Sequence, residues 1–104
     1  MEVDMAVKIL IRRHFKENAA EQAVALLNNF RQDAVHQPGY ISGETWRNHY
    51  DPRTITVVST WQSVDDWIRW EESETRAAHE AKLESLLEES AKFEVYDLGS
   101  LSDK

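Results

Sequence analysis

The hydrophobic pattern changes period several times along the chain, and each change marks a new element. A-V-K-I-L-I-R-R-H-F (Ala6–Phe15) starts apolar on both sides and then alternates. Val7, Ile9, Ile11 and Phe15 fall on one face, and Leu10, Arg12 and His14 on the other, which predicts a strand. Asn18 followed by Glu21 has the form of a capping box. Ala23, Leu27, Phe30 and Ala34 then recur at helical spacing until Pro38-Gly39 ends the segment. Y-I-S-G-E-T-W-R-N-H-Y (Tyr40–Tyr50) returns to period two, and its internal Gly43 predicts a bulge or bend. Asp51-Pro52 marks a turn, and Ile55–Trp61 is the clearest strand of all, so these two strands form an antiparallel hairpin. Ser63 with Asp66 caps a short helix carrying Trp67 and Trp70. Ser73 caps a longer one running to about Ser90, and K-F-E-V-Y-D-L closes the pattern as a last strand.

The order β-α-β-β-α-β, with its second helical segment broken in two, predicts a ferredoxin-like α+β domain. A four-stranded antiparallel sheet carries its helices on one face. The other face has no helix left to cover it, and Leu10, Val58 and Ile41 are expected there beside Arg12, His14 and Thr60. A half-apolar bare sheet wants a partner, and a homodimer through the sheet faces is the economical answer.

Composition narrows the function classes. The chain has 104 residues, which suits a single domain over residues 1–104. Its formal net charge is −7, and no basic cluster exceeds the pair Arg12-Arg13, so nucleic acid and anionic membrane surfaces are excluded as partners. Without cysteine there is no disulfide, thiol nucleophile or thiolate metal site. Two acids precede the first apolar run, and no apolar stretch is long enough to span a membrane, so a cytoplasmic protein is expected. The four histidines lack the spacing of a helical metal site, no G-x-S-x-G supports a hydrolase, and the three glycines form no phosphate loop.

What remains is aromatic. Trp61, Trp67, Trp70 and His79 fall within nineteen residues of one another. Trp67 and Trp70 are one helical turn apart. His79 shares an apolar stripe with Leu83, Leu86 and Leu87, so it points inward. These rings either fill the core or line a pocket for a flat molecule, and the pattern allows both.

Four stretches together resemble the antibiotic biosynthesis monooxygenase family: K-I-L-I-R-R-H-F, Q-P-G-Y-I-S-G-E-T, V-V-S-T-W-Q-S, and W-x-x-W followed by S-E-T-R-A-A-H. The resemblance implies a dimeric α+β barrel and cofactor-independent monooxygenation with O2 of a small aromatic or phenolic substrate. By position it makes Trp61, Trp67 and Trp70 pocket walls and His79 a base or hydrogen-bond donor. Arg12 would hold a developing oxyanion if the polar face of the first strand lines the cavity, with His14 beside it against the substrate. Heme-degrading relatives place a tryptophan and an A-A-H histidine much as Trp70 and Ala77-Ala78-His79 stand here. Heme, with His79 as axial ligand, is therefore the alternative cofactor, although Ile11 occupies the place of those relatives' strand asparagine. A non-catalytic ligand-binding module is the third reading.

Overall fold

In the computed structural model, which describes residues 5–99, the strands are β1 (Val7–His14), β2 (Tyr40–Arg47), β3 (Thr54–Trp61) and β4 (Lys92–Asp97). The helices are α1 (Ala20–Ala34), α2 (Val64–Glu71) and α3 (Glu74–Glu84). The strands form one antiparallel sheet in the order β2-β3-β1-β4, the ferredoxin-like α+β topology. The pleat of β1 sends Val7, Ile9, Ile11 and Arg13 under the helices, and Phe15 continues that row beyond the strand end. Ala23, Leu27 and Phe30 of α1, Trp67 and Trp70 of α2 and Leu83 of α3 close the core above them.

The opposite face lies bare. Leu10 pairs across to Val58 on β3, and Trp46 and Tyr96 lie half exposed on the outer strands. Ile41, expected on this face, is instead the extra residue of a register shift between Tyr40 and Ser42, two positions before the glycine that suggested it. Gly43 has a different task. A Cβ there would come within 2.3 Å of the Tyr40 hydroxyl, so the glycine makes room for that ring.

Capping follows the sequence at two helices and departs from it at the third. The Ser63 and Ser73 hydroxyls accept the backbone N–H of Asp66 and Arg76 at 3.2 and 3.1 Å, starting α2 and α3. Asn18 does not cap α1. It adopts φ 67°, a left-handed turn that asparagine tolerates better than most residues, and Ala19 stands at the N-cap without a side-chain bond. Burial of Ala19 and Ala20 sets that helix start, not a capping box. Helix α3 also stops earlier than its stripe predicts. Leu86 and Leu87 leave the helix because Lys16 N–H donates to the Leu86 carbonyl, Glu88 N–H to the His14 carbonyl, and Phe15 bridges Leu87. These contacts with the end of β1 replace helical ones.

Candidate functional site

Between the sheet and the helices lies a cavity of about 60 Å³, partly open to solvent. Each element contributes to it by its own periodicity. The pleat turns Ile11 and Arg13 of β1 and Ser59 and Trp61 of β3 toward it. Helix α2 supplies Trp67 and Trp70 from one face, three residues apart. The rings meet edge to face or tilted: Trp61 and Trp67 with centroids 6.0 Å apart, Tyr40 and Trp61 at 5.3 Å, Phe30 and Trp70 at 6.0 Å. Trp61 donates its indole N–H to Ser59 Oγ at 3.0 Å, which fixes the ring. The three tryptophans are buried and still border the space, so they serve as core and as wall together.

Charge enters through arginine. Arg13 is only 1% exposed and Arg76 6%, and both line the cavity. They share one carboxylate. Arg13 Nη2 donates to Glu80 Oε1 and Oε2 at 2.9 and 3.0 Å. Arg76 Nη2 stands 3.0 Å from Glu80 Oε2, an ionic contact too far off axis to be a hydrogen bond. The tight break between α2 and α3 brings the Arg76 guanidinium 5.3 Å from the Trp67 ring centre and 5.7 Å from that of Phe30. Burial pulls the Arg76 pKa below its ordinary value; Glu80 opposes that shift and Arg13 adds to it. An arginine remains charged at neutral pH even so. Two buried cations thus face one carboxylate.

Other residues singled out in the sequence lie elsewhere. Arg12 and His14 sit on the opposite face of β1, because the pleat that turns Arg13 inward turns its neighbours out. They meet in a shallow polar depression with Asp51, Thr54, Glu89 and Lys92. There the Thr54 hydroxyl donates to Asp51 Oδ2 at 2.8 Å and accepts from His14 Nδ1 at 2.8 Å, so that nitrogen carries the hydrogen. The Thr54 hydrogen bond, aided by His14, holds the Asp51 carboxyl below its usual range against some desolvation. His79 points inward as its stripe implies, but toward α1: its ring stacks on Phe30 with centroids 4.8 Å apart. Its Nε2 lies 2.6 Å from Asp33 Oδ2, and since a carboxylate only accepts, Nε2 carries a hydrogen. His79 does not border the cavity.

Sequence reading missed Arg76 and Glu80 as site residues, and also Arg13. Its signal was present, since period two places it between Ile11 and Phe15 on the apolar face. A charged residue in a buried row asks for a partner, and Glu80, its partner, lies 67 positions away.

Among the described residues no group of three or more His, Asp or Glu is placed to hold a metal ion, and no helix is long and apolar enough to cross a membrane. The family model for antibiotic biosynthesis monooxygenase matches residues 6–91. Several solved structures share the fold. SnoaB, a cofactor-independent oxygenase from Streptomyces nogalater, superposes with a TM-score of 0.83 at 13% identity over 96% of this chain and 99% of its own. A conserved protein from Methanosarcina mazei reaches 0.84 at 13% identity over 88% and 91%. A Shewanella oneidensis protein reaches 0.82 at 18% identity over 92% and 93%. No curated protein matches the chain.

Proposed function

The chain belongs to the antibiotic biosynthesis monooxygenase family, and from that premise we propose that it oxygenates a small aromatic substrate with O2 and without a cofactor. The observation that carries the proposal is the cavity itself: tryptophan walls on a partly open space, with two guanidinium groups along it. SnoaB, similar in fold, is a cofactor-independent oxygenase. In such a reaction the substrate supplies the electrons. One oxygen atom enters the ring as a carbonyl and the other leaves as water with two hydrogens from the substrate. The protein's part is to hold the ring, exclude bulk water and stabilise negative charge as the substrate gives up a proton. Trp61, Trp67 and Trp70 hold the ring. Arg13 and Arg76 take the charge-stabilising role that sequence position suggested for Arg12.

The surroundings of His79 favour the cofactor-free reading over heme, the alternative. His79 Nε2 is engaged by Asp33, its ring is stacked on Phe30, and it does not border the cavity. The bare sheet face, with Leu10, Trp46 and Tyr96, supports a homodimer paired through it.

The test is oxygen uptake by the purified, chelator-treated protein over a panel of naphthols and anthrones, with 18O2 to follow the label. The expected result is accelerated uptake, one labelled atom per product molecule, and loss of the acceleration in Trp67→Ala. Uptake at the buffer rate across the whole panel, or label arriving from water, would sink the reading.

A further inference from the structure

The chain carries a formal charge of −7, yet the charged residues bordering its cavity are Arg13, Arg31 and Arg76 against a single acid, Glu44. That acid is turned to another use, accepting the Trp46 indole N–H at 2.8 Å. Arg31 donates to the Gly43 carbonyl at 2.6 Å near the opening. Deeper in, Glu80 balances only one of the two buried guanidinium groups. Among the described residues Arg13 Nε and Arg76 Nε are buried without a hydrogen-bond partner, and Arg76 Nη2 has only its off-axis ionic contact with Glu80 at 3.0 Å. Two buried guanidinium groups against one carboxylate leave a positive charge beside the cavity, and an oxyanion is the group that balances it.

We propose that the ligand of this cavity is an aromatic carboxylate whose carboxylate group seats against Arg13 and Arg76. The inference rests on the reading of this cavity as the substrate site and names the substrate class. A carboxylate fits better than a neutral phenol for two reasons. It is already an anion at neutral pH, so it brings the missing charge without a proton transfer. Its two oxygens also bridge two guanidinium groups, as Glu80 does between the same two arginines at 2.9 to 3.0 Å. Size agrees. A space of about 60 Å³ takes the carboxylate head group beside the arginines, with the ring against the aromatic side chains that border it.

The experiment is equilibrium binding of benzoate and of its uncharged isostere benzamide at pH 7, followed by tryptophan fluorescence and calorimetry. It needs no turnover, so its outcome is independent of whether the protein oxygenates anything. Benzoate is expected to bind about tenfold more tightly than benzamide. Arg76→Gln should bring the ratio of benzoate to benzamide affinity close to one. Glu80→Gln, which removes the competing carboxylate, should widen the preference. The two variants move in opposite directions, so a general loss of packing cannot imitate the pattern, and the wild-type comparison stands even if one variant fails to fold. Equal affinity for the two compounds, or a narrower preference in Glu80→Gln, overturns the assignment.

Discussion

Glu80→Gln is also the sharpest probe of how this fold tolerates its interior charges. Arg13 and Arg76 are almost fully buried, and Glu80, with 28% of its side chain exposed, is the carboxylate both of them contact. Removing one partner of a buried ion pair typically costs about 3–5 kcal/mol, because the surviving charge is left without compensation. Glutamine keeps a neutral acceptor, and water reaches part of the position, so the expected loss is about 2–3 kcal/mol. In a domain of this size that lowers Tm by roughly 10 °C or more. Urea unfolding followed by the fluorescence of the buried tryptophans measures it, with an unchanged m-value showing that the native state kept its compactness. The same substitution in an Arg76→Gln background should cost markedly less, since one of the two charges is already gone. A loss below about 0.5 kcal/mol, within the ordinary range of surface changes, would refute the claim that Glu80 compensates the arginines.

Two further outcomes follow from the fold. Leu10→Asp places a charge in the middle of the bare face, opposite Val58 on β3 and beside Glu94 on β4. Light scattering should find a dimer for the wild type and a monomer for the variant, and a dimer that survives the substitution would count against pairing through this face. Asp51→Asn should lower stability at neutral pH by weakening the link from Thr54 to the carboxylate. The native Asp51 pKa lies below the ordinary 3.8, so the carboxylate's contribution is complete above that value and is lost as pH falls through the native one. Wild type and variant should therefore converge in denaturation midpoint below pH 3.8, and a gap that stays constant into strong acid would contradict the assignment.

The sequence by itself determined which elements form and in what order, because period-two and helical spacing are local signals. It also set the breaks at Ser63 and Ser73, where a hydroxyl needs only an N–H three residues on. The three tryptophans reach one space because two share a face of α2 and the third ends β3 in the row facing that helix. Where several parts of the chain compete, local pattern fell short. Asn18 yielded the helix start to the burial of Ala19 and Ala20, and Leu86 and Leu87 left their helix for the end of β1. His79 faces inward as its stripe implies, but only the packing of α3 against α1 decides that inward means Phe30 and Asp33. Arg13 shows the division most clearly. Its place in an apolar row is written in strand alternation, whereas its balance depends on Glu80 and Arg76, more than sixty residues away, and distant charges meet only when the chain has folded.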